Sequence, residues 1–488
     1  MSTDSQPESL RAVARQKLRF SRLTVGLILV LALVATGLGV INAVQGPRLS
    51  FGEVNPQALI TRTAQRLILH ANQPLAAVSA DKLTISPTAT VEVSTDDNAV
   101  TLQFANSLSY HTEYSVSVDV RSASTGIEGK LEFSFTTPDI DVYSLLRDTE
   151  NSESGQDNSD QDNLDQVLRH SLAGANSNSV VFEAPKIQEY ARLIDRIAVV
   201  TLDEDNAPTL VLTQPSQLPT TVVDTANASV IRQLRSDDSG TIFGYVLGGG
   251  LETAEGPSRR LFLYDLTNGT GLPEEITGFG GRPLTVMNWM FVPGTTSIVV
   301  QADDQQLYLI EAAAREAPTP LGQHMEMRGF IPDTLQLVVA DPLSGSLIDL
   351  ASGTTTVLDL PEPELLPDRY PGKLVLLDES RFIELFALIG TDTTGGQGGS
   401  ELVMNGTNGG TTLFSTALTG GTIRNYCLSP NGEYLAVEVT SVEGRPDYYP
   451  SVNGFSASTV VFVRLSDGSS SRSVSGFMPD WCRAEPSQ

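Results

Sequence analysis

Thiols and imidazoles are nearly absent from this chain. Its 488 residues include two cysteines, Cys427 and Cys482, and four histidines, His70, His111, His170 and His324. Zinc sites built on those groups and serine–histidine triads need them in sets, so the scarcity disfavours both. No H-E-x-x-H helix, G-x-S-x-G elbow or P-loop occurs, and the stretch TTGGQGGSE at 393–401 lacks the lysine a phosphate cradle requires. Cations are also sparse: 31 Lys and Arg stand against 58 Asp and Glu, for a formal charge of −27. Such a field repels a phosphate backbone, and no basic stripe with interleaved aromatics follows the N-terminus, so no nucleic-acid partner is expected. The acidity reads as solubility and self-repulsion at a cell surface. Nothing in the composition calls for a cofactor or a metal.

Long apolar runs are absent with one exception. Residues 23–44 carry no charge, and Arg11, Arg15, Lys17, Arg19 and Arg22 stand just before them. As a helix the run reaches about 33 Å, enough to cross a hydrocarbon core. Cationic flanks resist translocation, so the expected arrangement is a single-pass anchor with residues 1–22 cytoplasmic and the rest outside the membrane. A cleaved signal peptide is the competing reading, but its apolar core is usually about 7 to 15 residues long.

Beyond the anchor the pattern is almost entirely β, in two textures. From 47 to 138, alternating runs such as AVTLQFA (99–105), YSVSVDV (114–120) and KLEFSFTT (130–137) are spaced by turn residues, as in a β-sandwich. The order ANQPL (71–75), LTISP (83–87), LSYHTEYSVSV (108–118) and FSFTTPD (133–139) resembles the bacterial Ig-like domains of the S-layer type. The resemblance implies a stalk or spacer, with the strand bearing Thr112, Tyr114 and Val116 paired to the one bearing Phe133, Phe135, Thr136 and Thr137.

Residues 139–180 open with an acidic, weakly apolar stretch, centred on NSESGQDNSDQDNLDQ, that reads as a flexible linker. A calcium loop on Asp157, Asp160, Asp162 and Asp165 is the functional alternative, but the EF-hand spacing, central Gly and terminal Glu are missing.

The second texture, 181–486, is a degenerate repeat. Its clearest copy is NYCLSPNGEYLAVEV (425–439); others are QLRSDDSGTIFGYVL (233–247), NWMFVPGTTSIVVQA (288–302) and MRGFIPDTLQLVVAD (327–341). Four strands per unit describe propeller blades, and the S-P-[DN]-G turn followed by a VxVxxLxxG strand resembles TolB-like and WD40-like bacterial propellers. Blade starts fall near 229, 284, 325, 370 and 422. A sixth blade is expected to be shared between the ends, with FMPDWCRAEP (477–486) supplying a first strand to segments 194–202, 209–214 and 220–224; seven blades is the nearest alternative. This alignment puts Trp481 and Cys482 at the places of Tyr426 and Cys427 on neighbouring inner strands. Outside the cytoplasm the two thiols are expected to oxidise to a disulfide latch worth about 4 kcal/mol in the chain-entropy model.

The expected fold is therefore an all-β exodomain, an Ig-like sandwich plus a six-bladed propeller, behind one transmembrane helix. Both modules are usually interaction platforms, which implies a binding or scaffold protein engaging an envelope protein or glycan at a bacterial cell membrane, and not an enzyme. The alternative is an envelope polysaccharide- or peptide-processing enzyme using propeller carboxylates. Asp237, Asp238, Asp333 and Glu379 lie at blade turns, where bare carboxylates usually serve the turn. Carboxylates converging on one face would favour the enzyme; a face of apolar and aromatic side chains without them would favour binding.

Overall fold

The computed structural model describes residues 26–31, 46–147, 164–174, 178–214, 220–225, 228–248, 259–268, 271–311, 317–361, 368–389, 398–407 and 409–481. The chain divides into two compact units, Met1–Pro138 and Asp139–Gln488. Residues 26–31 are helical with exposed apolar side chains; the rest of the run 23–44 lies outside the described residues. Among the described residues no helix is long and apolar enough to cross a membrane.

Among its described residues the first unit holds seven strands: β1 (Leu49–Val54), β2 (Arg66–Ala71), β3 (Leu83–Ser86), β4 (Val91–Asp96), β5 (Ala99–Phe104), β6 (Glu113–Arg121) and β7 (Glu128–Thr136). One antiparallel sheet runs β1-β2-β5-β4 and the other β3-β6-β7. Period-2 patterning explains their union. Along β6, Tyr114, Val116, Val118 and Val120 point inward while Glu113, Ser115, Asp119 and Arg121 point out. With Leu131 and Phe135 of β7 they meet Leu67, Leu69, Val100 and Leu102 of the facing sheet in one core. The expected pairing is present: Tyr114 lies opposite Phe135, and Val116 opposite Phe133.

The second unit begins with β8 (Asp141–Leu146), β9 (Asp165–Ser171) and β10 (Ser179–Ala184), a three-stranded sheet. Six antiparallel sheets of four consecutive strands follow, spanning 187–222, 230–275, 286–323, 326–358, 369–415 and 422–475. The chain then returns to the first sheet. Leu145 and Phe477 exchange backbone hydrogen bonds of 2.8 and 2.9 Å, and the Asp480 N–H donates to Tyr143 O at 3.1 Å. This segment is the innermost strand of the sheet, so seven sheets close into a β-propeller, numbered here as blades 1–7 with β8–β10 in blade 1. Closure leaves no free inner edge for another chain to pair with.

Two expectations are corrected. The ring has seven blades, because the strands at 197–202, 208–213 and 221–222 have an inner strand of their own, β11 (Ile187–Arg192). The strands that the C-terminus completes are β8–β10, in the stretch read as a linker. Acidic composition hid them: β8 and β9 each bury several side chains, but they flank the run 148–163, which lies outside the described residues.

Separate apolar clusters fill the first six interfaces between successive blades, such as Ile242, Val246 and Leu261 against Trp289 and Ile298 between blades 3 and 4. Gly244 is needed there, because a Cβ would stand 2.7 Å from the Trp289 ring. The seventh interface, where the ring closes, is more polar. Trp481 packs on Phe462, the Met478 N–H donates to Glu438 Oε2 at 3.1 Å, and Arg472 donates to Asn178 Oδ1 at 3.0 Å.

Candidate functional site

Because the strands of each blade alternate in direction, the turns after first and third strands share one face of the ring, the turn face. The links after second and fourth strands share the other, the loop face. On the turn face, short polar turns close on themselves. Asp237 is buried and accepts the N–H groups of Ser239, Thr241 and Ile242, while Asp238 accepts the Gly294 N–H of the next blade at 2.7 Å. Glu379 accepts a bond from Gln336 across blades 5 and 6, and Asp333 occupies a turn position with φ of +60°. The four carboxylates considered for catalysis are thus spread over three turns of different blades, Asp237 and Asp238 sharing one, and three of the four hold backbone or a neighbouring blade.

On the loop face, a clasp forms at ring closure. Arg147, at the end of β8, is buried and pairs with Asp447 at 2.6 Å; each side chain is at most 3% exposed. Its remaining donors reach Ile187 O, Gln188 O and Val452 O, and its guanidinium stacks 3.8 Å over Tyr449. The Tyr449 hydroxyl donates to Asp165, whose carboxylate also accepts the Ile187 N–H at 2.8 Å. One cation thereby ties blades 7, 1 and 2 together, and Asp165, weighed as a calcium ligand, is part of that tie. Asp157, Asp160 and Asp162 lie outside the described residues. Among the described residues no group of three or more His, Cys, Asp or Glu side chains could hold a metal ion.

Near the axis, the pairing of first and second strands shifts register in blades 2–7, with breaks such as Ile187/Glu189, Met327/Gly329 and Ile423/Asn425. Such bulges bend and over-twist a strand where the ring is tightest. They also put polar residues at the seams. Glu189 accepts the Leu234 N–H at 2.8 Å, Arg235 donates to Asn288 at 3.2 Å, and Lys373 donates to Asn425 and Tyr426 O at 2.6 Å. Burial pushes the Glu189 carboxyl up to about 7, against the Leu234 bond and the Arg235 charge. Burial likewise raises Glu384 to about 7, opposed only by Arg328. These two carboxyls, on blades 2 and 6, escaped the sequence reading because a polar residue inside a strand has no periodic signature.

A pocket of about 360 Å³ opens where Arg424 leaves the blade 7 inner strand. Thr422, Thr440, Ser441, Val442 and Phe455 line it, with Gly398, Gly420 and Gly444 in its walls. The Arg424 guanidinium lies 4.2 Å over the Phe455 ring. The loop face carries exposed apolar tips on blades 4 to 7: Met287, Met325, Leu343, Tyr370, Leu418 and Tyr448. On the turn face the exposed large apolar residues are Ile194, Leu272 and Leu335, among the described residues.

His170 is buried against Ser144 Oγ at 2.8 Å, and burial lowers its pKa; His324 pairs with Asp341 at 2.9 Å. Cys427 is disulfide-bonded; Cys482 lies outside the described residues. Trp481 and Tyr426 are both buried.

No protein-family model matches the chain, and no curated protein matches it in sequence. Among solved structures it is similar to the tricorn protease (11% identity, TM-score 0.35, 86% of this chain), and it spans 56% of that protein's length. It is also similar to a prolyl endopeptidase (9%, 0.41, 63% of this chain and 46% of that one). A third likeness is to a putative TolB from Agrobacterium tumefaciens (11%, 0.31, 69% and 90%).

Proposed function

We propose that this chain is a membrane-anchored, extracytoplasmic binding protein that presents the loop face of its propeller to a protein partner at the cell envelope. The carrying observation is that more of the exposed apolar tips lie on that face than on the other, while three of the four turn-face carboxylates named above hold backbone or a neighbouring blade. Large exposed apolar side chains are costly in water and mark interaction surfaces when grouped. The charge-free run 23–44 behind five cations supports an anchor with its N-terminus inside. In the first unit, the order β1-β2-β5-β4 against β3-β6-β7 is that of a constant-type immunoglobulin domain, and the Tyr114 hydroxyl accepts the Ser109 N–H at 3.2 Å, as in a tyrosine corner. Both features support an Ig-like spacer. Cys427 paired with Cys482 supplies the latch, and peptide mapping under non-reducing conditions tests that pairing.

A photo-crosslinking residue at Leu418 or Tyr448 of the full-length protein, in the envelope of its source cells, tests the binding face. The expected result is a saturable adduct from Tyr448 that Leu418→Asp abolishes, and one from Leu418 that Tyr448→Asp abolishes. Adducts formed equally from turn-face position Ile194 would sink the reading. The competing reading, an envelope hydrolase, draws on Glu189 and Glu384, whose carboxyls titrate in the range useful for acid–base catalysis. It predicts turnover of a labelled envelope glycan or peptide that Glu384→Gln removes.

A further inference from the structure

The Arg424 pocket allows the ligand of the loop face to be described chemically, on the premise that this face binds a partner. Arg424 makes no hydrogen bond or ion pair with another described residue, in a chain where acids outnumber bases almost two to one. Glu438, on the paired strand opposite Asn425, feels the Arg424 charge but makes no ion pair with it, and turns one oxygen to the Met478 N–H. With its face laid on Phe455, the guanidinium keeps its edge of N–H donors for a planar two-oxygen acceptor. The hydroxyls of Thr422 and Ser441 share the cavity with it. Gly444 lets the loop 441–457 close onto the strand, because a Cβ there would stand 2.3 Å from Thr440 Cγ2. Val442 and the rim of Phe455 supply an apolar wall, and Leu418 and Tyr448 sit on the two loops that also contribute Gly420 and Val442. The volume matches the lower range of small-ligand clefts, so it admits a chain end and not a folded element.

We propose that the pocket captures the C-terminal carboxylate of a partner polypeptide ending in an apolar residue. Arg424 pairs with the carboxylate through two parallel N–H donors, Thr422 and Ser441 donate to the same oxygens, and Val442 and Phe455 take the last side chain. Capture of a chain terminus by a cation and a tight loop is a general mode of peptide recognition.

Fluorescein-labelled peptides ending in -Ala-Ala-Val, -Ala-Ala-Leu and -Ala-Ala-Phe, each as free acid and as C-terminal amide, test this by anisotropy on the full-length protein in detergent. At least one free acid should bind about tenfold more tightly than its amide. Arg424→Gln should bring the ratio to one, while Arg424→Lys, which keeps the charge but not the fork, should retain part of it. Val442→Trp fills the cavity while keeping the Arg424 charge and should weaken acid and amide alike. Equal binding of acids and amides, no binding of either, or a ratio that survives Arg424→Gln overturns the proposal. If the acid preference is absent while the Leu418 crosslink persists, the pocket assignment fails and the binding face stands; if the crosslink is absent too, both fall.

Discussion

The two faces of the ring are built from the same repeats and spend their polar groups differently. On the turn face, acids and amides are consumed by the backbone beside them. Asp378 accepts from the N–H groups of Ser380 and Arg381 at 2.8 Å and from Arg381 Nε at 2.6 Å; partial burial works against its charge, yet those bonds hold its carboxyl down at about 2. Asn431 accepts from Ser429 and from the Glu433 N–H, and Asp467 from the Ser469 N–H. A surface so satisfied offers few groups to a partner. The loop face carries longer links, exposed apolar tips and a cation stacked on an aromatic ring. Repetition sets the scaffold, and function concentrates where the links between strands are free to vary.

Four measurements test the difference between the faces. The largest effect is expected at the clasp. Arg147→Ala leaves Asp447 buried without its partner and should cost about 3 to 5 kcal/mol in denaturant unfolding. A cost below 1 kcal/mol would mean that the loop face does not hold the ring closed.

In the interior between the faces, Glu384 sets a pH dependence. Its carboxyl titrates near 7 when folded, against an ordinary value of 4.5, so the unfolded chain releases the proton first as pH rises. Wild-type stability should therefore fall from about pH 4.5 to about 7 through this group. Glu384→Gln should be near neutral at pH 5 and stabilising by about 2 kcal/mol at pH 8, measured as the change in denaturation midpoint. A variant effect that does not change with pH removes the argument.

On the turn face, Asp237→Ala leaves three backbone N–H groups without their acceptor and should cost about 1 to 2 kcal/mol, with crosslinking from Leu418 unchanged. Loss of partner binding in that variant would blur the distinction between the faces. The smallest stability change is expected at the loop-face tips. Leu418→Asp and Tyr448→Asp should move the unfolding free energy by no more than about 0.5 kcal/mol while abolishing the adduct. A large destabilisation would show that the tips pack within the protein instead of serving a partner.

Much of the scaffold was legible. The expected blade starts at 229, 284, 325, 370 and 422 lie within two residues of inner strands beginning at Val230, Val286, Glu326, Arg369 and Thr422. Turn chemistry made this possible, because Ser-Pro-Asn-Gly and its variants mark the first-to-second strand connection whatever the strands bury. One inner strand and one whole blade escaped, for opposite reasons. The strand IQEYAR at 187–192 buries Gln188 and Glu189 against neighbouring blades, so it lacks the apolar signature of a buried strand. Strands β8 and β9 have that signature, but it is drowned by the acidic run between them. Arg424 carries no signal of its own in the sequence. It stands at a register shift, where alternation fails, and its stacking partner Phe455 lies on a loop 31 positions away.

From its sequence alone the chain is committed to β structure, to a charge-free run behind five cations, to a chain of strand-and-turn repeats, and to a chemistry with little room for histidine or cysteine catalysis. Those properties depend on neighbours a few residues apart, through side-chain alternation and turn preference. The tertiary structure alone decides that seven sheets close, that Phe477–Asp480 completes the sheet opened by Asp141, and that Arg147 meets Asp447 across 300 positions. It also decides that Arg424 faces a cavity. Each of these depends on how the ring wraps about its axis, which brings distant links to one face and which no local pattern encodes.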